Sequence, residues 1–323
     1  MIGSNLVKCL INEGYKVTVA DNLWRGSKEY LKDEKGNPVI DMKNDFIEVD
    51  LANSNALIPF IKHFNYVFHL ADIVGGIDYV FNNEGSIFRK NILINSNVID
   101  AVRTHLKESL KGFIYVGTAC SFPESKQSGV NAKPLTEEDQ YPAAPESAYG
   151  WSKLMGEYES LLLEKETGIP VSVLVLHNVY GVPCDYGIRS QVIPSLIKKA
   201  ILYPKEPFIV WGSGRQGRAF VHVNDVVNAL MLAMVKGLGK GVIQIGPNVC
   251  TTIREIAEII VEISGKKINI VHDTSKPEGD LGRCADYKKA REILGWEPKV
   301  KLGDGLSELY IWIEKELSKT VNK

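Results

Sequence analysis

The chain has 323 residues, of which 45% are hydrophobic and 24% are charged. This is enough for a large core and for two packed regions. A formal net charge of -1 and a pI near 6.6 argue against a general role on nucleic acids or membrane surfaces. The apolar runs are shorter than the roughly 20 residues of a membrane span, and the first residues do not match a signal peptide.

The cysteines indicate the redox environment. There are five of them, an odd number, and they form neither a Cys-x-x-Cys pair nor a Cys/His cluster; they are Cys9, Cys120, Cys184, Cys250 and Cys284. This pattern suits a reducing cytosol and predicts a cytoplasmic protein. It argues against both a disulfide framework and a structural zinc site.

Segments of strand length alternate with segments of helical period along the first half of the chain. We predict strands near residues 16–20, 45–49, 66–70, 112–116 and 171–175, and helices near 4–13, 54–63, 86–106 and 146–167. This alternation predicts an α/β fold with a doubly wound parallel sheet and helices on both faces. Residues 28–44 are polar, and we expect them to form an exposed excursion. After about residue 180 the pattern loosens into short elements, with turn signals at Gly212 and Gly214 and a closing helix near 304–319.

The start of the chain differs from the expected pattern. A doubly wound domain begins with a central strand and a glycine-rich turn that leads into the first helix. Here the sequence starts within that helix, and Gly3 fits the last glycine of the turn. We therefore expect the first strand and most of the turn to be missing from this chain, and the protein to begin about ten residues earlier.

Residues at the carboxyl ends of the predicted strands are candidates for ligand binding, because parallel sheets bind ligands at that edge. Asp21, Ala71 and Thr118 fall there. An acid at the position of Asp21 suits the ribose hydroxyls of NAD and disfavours the phosphate of NADP. The alternative is that Asp21 and Asn22 form a plain strand-end turn.

Tyr149 and Lys153 are the strongest candidates for catalysis. They are four residues apart, so they share one face of the helix predicted near 146–167. A nearby ammonium stabilises a phenolate and would lower the tyrosine pKa from about 10 towards neutrality. Such a tyrosine can remove a proton from an alcohol while a cofactor takes the hydride. Thr118, at the end of an apolar strand, could hold the same alcohol.

Several short motifs carry a family resemblance. They are Gly3-Ser-Asn-Leu6, Asp21-Asn-Leu23, Asp50-Leu51, His69-Leu-Ala71, Asn91, His177-Asn-Val-Tyr-Gly181, and the arginines at 218 and 283. Over essentially the whole chain they resemble the extended short-chain dehydrogenase/reductases that act on nucleotide sugars. Within that family the likeness is to the GDP-mannose 3,5-epimerases first and to the GDP-fucose synthases second.

The resemblance implies a cofactor, a substrate class and their contacts. It implies an NAD-binding Rossmann domain over residues 1–180, a nucleotide-sugar-binding domain over 181–323, and a homodimer formed through the helices near 86–106 and 146–167. The implied NAD contacts are Gly3, Asp21, Asn22, Asp50, Leu51, Leu70, Ala71, Asn91, Tyr149, Lys153 and His177. The implied contacts of the nucleoside-diphosphate sugar are Gly76, Thr118, Asn178, Gln191, Arg218 and Arg283. Arginine suits a diphosphate because its planar fork can bind phosphate oxygens bidentately.

Cys120 bears on the type of reaction that the resemblance implies. The sugar 4,6-dehydratases of the family have an Asp-Glu pair where this chain has Ala119 and Cys120, so dehydration is not expected. The 3,5-epimerases and fucose synthases have a cysteine there, and a thiolate can remove a proton beside a 4-keto group. Cysteine is also often an inert buried residue.

The second acid/base of those enzymes has no counterpart here. An ungapped alignment places Gln191 and Val192 at its position, and neither transfers protons. Lys126 and His177 are possible substitutes. The alternatives are therefore a C3/C5 epimerase, a 4-epimerase, a 4-keto-sugar reductase/epimerase of the fucose-synthase type, and an inactive nucleotide-sugar-binding protein.

Overall fold

The computed structural model describes residues 1–54, 56–57, 64–129, 132–276 and 279–321. Its helices are α1 (Ile2–Asn12), α2 (Ile77–Asn82), α3 (Glu84–His105), α4 (Ala148–Thr167), α5 (Val192–Leu202), α6 (Val223–Leu232), α7 (Ile253–Ser264), α8 (Lys288–Leu294) and α9 (Leu302–Val321). Its strands are β1 (Val19–Asp21), β2 (Phe46–Glu48), β3 (Tyr66–His69), β4 (Gly112–Thr118), β5 (Val171–Leu176), β6 (Asn178–Tyr180), β7 (Ile209–Trp211), β8 (Gly217–Arg218), β9 (Phe220–His222), β10 (Gly241–Ile245), β11 (Thr251–Thr252), β12 (Val271–Asp273) and β13 (Gly282–Arg283).

The core of the fold is a parallel sheet in the order β10-β5-β4-β3. Successive residues of β4 alternate between two hydrophobic clusters. Phe113 and Tyr115 pack with α3, whereas Ile114 and Val116 pack with α1 and α6. A strand covered by helices on both faces is mostly apolar, as β4 and β5 are. The predicted Rossmann-like α/β class is confirmed, and all five predicted strands are present.

A second parallel pair, β1 with β2, lies apart from the main sheet. Among the described strands, none pairs with the free edges of β1 and β3. Residues of both strands line one cavity, which therefore passes between the two edges. The side chains of β1 and most of those of β3 are only partly buried, whereas those of β5 are fully buried.

The C-terminal part of the chain packs a third hydrophobic cluster between α5, α7 and α9. Three short strands in the order β11-β8-β13 carry the candidate arginines Arg218 and Arg283 towards the main sheet. However, β10 pairs with β5 of the main sheet, and α6 packs on the face of that sheet. The chain thus returns to the first region after leaving it. The boundary expected at residue 180 stays a prediction.

Residues of the segment 28–44 contribute to a small hydrophobic cluster. Within the segment 28–44, predicted to be exposed, Leu31 and Ile40 are buried with Phe46, so the prediction was wrong for its apolar residues. Cys250 and Cys284 form a disulfide bond with their Cα atoms 5.4 Å apart. The argument against disulfide bonding was wrong for this pair, because the fold brings together two cysteines that are 34 positions apart in the sequence. The helix predicted near 54–63 lies largely outside the described residues.

No helix in the described part of the chain is long and apolar enough to cross a membrane.

Candidate active site

A cavity of about 1390 Å³ runs between β1 and β3 and opens at the carboxyl ends of the main-sheet strands. Residues that follow β1, β3, β4 and β5 line one side of it, and residues of the C-terminal part line the other. The sequence-predicted residues that line it are Gly3, Asp21, Leu51, Leu70, Ala71, Gly76, Thr118, Cys120, Tyr149, Lys153, His177, Asn178, Gln191, Arg218 and Arg283. The fold therefore brings most of the predicted site into one place.

Thr118 and Tyr149 meet where β4 ends and α4 begins. Ser147 caps α4, accepting a hydrogen bond from Gly150 N at 3.2 Å, and this fixes the first turn that carries Tyr149. The side chains of Tyr149 and Thr118 are hydrogen-bonded to each other. Thr118 Oγ1 also accepts a hydrogen bond from Cys120 N at 3.2 Å. The hydroxyl pair expected to hold a substrate alcohol is thus assembled.

The ammonium group of Lys153 is paired with an acid in this structure. It forms a buried ion pair with Asp72, the residue that directly follows Ala71. It also lies 4.5 Å from the centre of the Tyr115 ring. The pKa of Tyr149 is raised above 10, first by burial and then by the Asp72 carboxylate. The lowering of the Tyr149 pKa by Lys153 stays a prediction for the cofactor-bound protein, and in this structure burial is the largest cause of the rise.

Cys120 lies beside the guanidinium group of Arg283. Arg283 Nη1 donates a hydrogen bond to Cys120 Sγ at 3.1 Å, although the two residues are 163 positions apart. The other nitrogens of Arg283 bind Gln127 and Asp280, and Glu146 Oε2 lies 3.9 Å from Nη2. The arginine is thus fixed in position, with its positive charge next to the sulfur atom.

Arg218 is a second buried cation in the same cavity. Its side chain donates to Gly217 O at 2.8 Å, and the residue is only 9% exposed. Burial, followed by the neighbouring charge of Arg283, lowers the pKa of Arg218 to about 9. Two buried guanidinium groups facing one cavity disfavour each other, and an anion bound between them would relieve that repulsion. A diphosphate has the charge and the acceptor geometry for this.

Three of the predicted contacts do not line the cavity. Asn22 Oδ1 accepts from Trp24 N at 3.0 Å, and Asp50 Oδ1 accepts from Ala52 N at 3.0 Å, so both side chains stabilise turns. Asn91 is fully buried and exchanges hydrogen bonds with the backbone of Ile73. In this structure these residues support the walls of the site.

Some cavity residues were missed by the sequence analysis. Asp72 and Glu146 line the cavity, and each contacts a predicted site residue, Lys153 in the first case and Arg283 in the second. The rule that strand ends bind ligands, which pointed to Ala71, applies equally to the acid that follows it. Glu146 directly precedes the cap of α4 and had no comparable signal.

The cavity fits a dinucleotide beside a sugar. The first turn of α1 lines it, and helix N-termini favour anionic phosphates. Asp21 lies at the end of β1, where its carboxylate can bind ribose hydroxyls. Buried polar atoms without a partner also occur here, on Asp72 Oδ1 and on His177 Nδ1, whose ring binds Gln244 at 3.0 Å through Nε2. The fold and the site define a dinucleotide-dependent enzyme of the short-chain dehydrogenase/reductase type.

Comparison with known proteins identifies the family. Residues 1–246 match the NAD dependent epimerase/dehydratase family, and the chain belongs to it. GDP-mannose 3,5-epimerase 1 of Oryza sativa subsp. indica is 30% identical over 318 residues, which are 98% of this chain and 80% of the relative. The predicted family resemblance is confirmed, and the cofactor is NAD.

Solved structures agree with this assignment. A UDP-glucose 4-epimerase from Thermotoga maritima, with UDP-glucose, has a TM-score of 0.85 and 29% identity, covering 98% of this chain and 96% of that one. UDP-glucuronic acid 4-epimerase from Bacillus cereus, in complex with UDP-glucuronic acid and NAD, has a TM-score of 0.81 and 26% identity, with the same two coverages. The relatives thus include enzymes named for different sugars and different inverted carbons.

Proposed function

We propose that the protein inverts a nucleoside-diphosphate hexose at C3, C5 or both, through a transient 4-keto sugar, with GDP-mannose as the model substrate. The observation that carries the proposal is the position of Cys120. Its sulfur atom is held by Arg283 in the cavity that also contains Thr118 and Tyr149. A 4-epimerase needs no such group, whereas proton transfer at a carbon next to a ketone does.

Each residue has a distinct task in this mechanism. NAD supplies the capacity to take the hydride from C4 and to return it. Tyr149 removes the proton of the C4 hydroxyl. Thr118, whose side chain is hydrogen-bonded to that of Tyr149, orients this hydroxyl. Cys120 then removes a proton from one face of the neighbouring carbon, and a group on the opposite face, for which His177 of the cavity lining is the candidate, delivers the proton that inverts this carbon. Asn178, Arg218 and Arg283 bind the diphosphate.

Solvent deuterium distinguishes the two main functions. Inversion at C3 or C5 exchanges a carbon-bound proton with solvent, so product formed from GDP-mannose in heavy water should carry deuterium at that carbon. Cys120→Ser should abolish the deuterium uptake while sparing oxidation at C4, because a serine hydroxyl is far too weak a base to remove the carbon-bound proton. Tyr149→Phe should abolish oxidation, while Cys9→Ser, a thiol on α1 outside the cavity lining, is the matched control.

A UDP-hexose 4-epimerase is the second candidate. It is favoured by Gln191 and Val192, which give the site no second proton-transfer group where the resemblance implies one. A 4-epimerase returns the hydride to the other face of the ketone and incorporates no deuterium at carbon. UDP-glucose inverted at C4 without label, by the wild type and by Cys120→Ser alike, would replace the first proposal with this one.

The homodimer is part of the proposal. Trp151, Met155 and Tyr158 form a stripe along α4 and are 37%, 36% and 54% exposed. Phe88 on the adjacent α3 is 40% exposed. Large exposed apolar patches mark interaction surfaces. Tyr158→Lys should halve the mass measured by sedimentation, and Ile311→Lys, at an exposed apolar residue of α9, should not; an unchanged mass for Tyr158→Lys would exclude this face.

A further inference from the structure

Asp72 occupies a position that the proposed mechanism does not explain. It lies two residues beyond Leu70, after the end of β3, and its carboxylate forms the ion pair with Lys153 of α4. The two side chains are only 5% and 4% exposed. A buried ion pair is held in one geometry, because removal of either partner leaves an uncompensated charge. Asp72 therefore fixes the ammonium group one helical turn from Tyr149.

The second carboxylate oxygen of Asp72 points to a ligand. Oδ1 is buried and has no hydrogen-bond partner, and the residue lines the cavity assigned to NAD and the sugar. A buried acceptor without a donor is costly. A hydroxyl group of a bound ligand can supply the donor, so Asp72 has one oxygen for Lys153 and one for the ligand.

The charges around Tyr149 act in opposite directions. Asp72 and Cys120 oppose its ionisation, whereas the hydrogen bond from Thr118 and the charge of Arg25 favour it. Burial has the largest effect and also raises the Tyr149 pKa. Among the charged neighbours, Asp72 is the largest contributor to the rise.

The charges around Lys153 are few. Besides Asp72, its ammonium interacts with buried His69 and Glu157 and with the face of the Tyr115 ring. Burial lowers the pKa of His69 to about 3, so that ring is neutral near pH 7 and adds no charge. Asp72 is thus the carboxylate in direct contact with the ammonium.

We infer that Asp72 is a positioning residue that holds Lys153 in place, binds a ligand hydroxyl through Oδ1, and adds a negative charge to the surroundings of Tyr149. This rests on the proposed role of Tyr149. Asp72→Asn keeps the shape of the side chain and removes its charge. Tyr149 would then ionise more easily and the base would form at lower pH, while Lys153 would lose its anchor.

Titration of the phenolate tests the inference without a substrate. The tyrosinate absorbance of NAD-loaded protein is followed against pH, and the same curve for the matching Tyr149→Phe protein is subtracted, which isolates Tyr149. Asp72→Asn should lower the midpoint by about one pH unit or more. Asp72→Glu keeps the charge and should leave the midpoint near that of the wild type. Asp78→Asn, at an exposed acid that also lines the cavity, is the control.

Kinetics provides the second readout. In single-turnover reduction of NAD by GDP-mannose, Asp72→Asn should shift the rising limb of the pH profile to lower pH and reduce its plateau about tenfold. Should Asp72→Asn not fold, Asp72→Ser replaces it in both experiments. The inference would be overturned if the neutral variants gave the same midpoint as Asp72→Glu and the wild type. Failure of GDP-mannose to react would count against the proposed function alone, because the titration needs no sugar.

Discussion

Gly150 permits the close contact between α4 and the turn that carries Thr118 and Cys120. A methyl group added to Gly150 would overlap the carbonyl oxygen of Cys120 and lie 2.9 Å from Pro145 Cβ. The turn cannot yield easily, because Ser121 Oγ donates to Thr118 O at 2.6 Å and Gln140 Nε2 donates to Ser121 Oγ at 2.9 Å. Gly150→Ala must therefore separate α4 from the turn, by about 1 Å if normal contact distances are restored.

This displacement should affect the reaction more than the fold. It moves Tyr149 relative to Thr118 and Cys120, and a misplacement of this size can lower a rate about 100-fold. Overpacking of a tight contact costs about 1–3 kcal/mol of unfolding free energy. The rate is measured as formation of reduced cofactor in a single turnover, and the free energy by urea denaturation.

Two other helical glycines provide controls. A methyl group added at Gly85 in α3 or at Gly303 in α9 would meet nothing within 4 Å. Alanine at these positions should leave the rate unchanged and add up to about 1 kcal/mol of stability through helix propensity. If Gly150→Ala keeps a rate and stability like those of the two controls, the argument that this contact positions the catalytic residues is refuted.

Two further predictions concern stability. Burial raises the pKa of Glu157 from 4.5 to about 7, so the folded state holds its proton more tightly and this stabilisation is lost as pH rises through that interval. The difference in unfolding free energy between Glu157→Gln and the wild type, measured by urea denaturation, should therefore shift in favour of the variant by about 2–3 kcal/mol from pH 5 to pH 8. Parallel pH dependences of the two proteins would contradict this. Trp296 is fully buried and donates a hydrogen bond from Nε1 to Asp225 O at 2.8 Å. Trp296→Phe should lower the unfolding free energy by about 2–4 kcal/mol, and a loss below about 0.5 kcal/mol would show that neither the volume nor the bond matters.

The sequence by itself determined many of the elements and pointed to much of the candidate catalytic set. Strand and helix periods depend on residues close together in the chain, so β3, β4, β5, α3 and α4 were predicted near their observed positions. The pairing of Tyr149 with Lys153 on one helical face follows from their spacing. Thr118 was identified because a strand end is a local feature. These inferences needed no knowledge of distant contacts.

Only the tertiary structure decided which distant groups meet. The contact of Arg283 with Cys120, the ion pair of Lys153 with Asp72, and the return of β10 to the main sheet join residues far apart in the chain. Local periodicity carries no information about such pairs. The pKa of Tyr149 illustrates the consequence, because burial and a carboxylate from another element raise it, and neither effect can be read from local spacing.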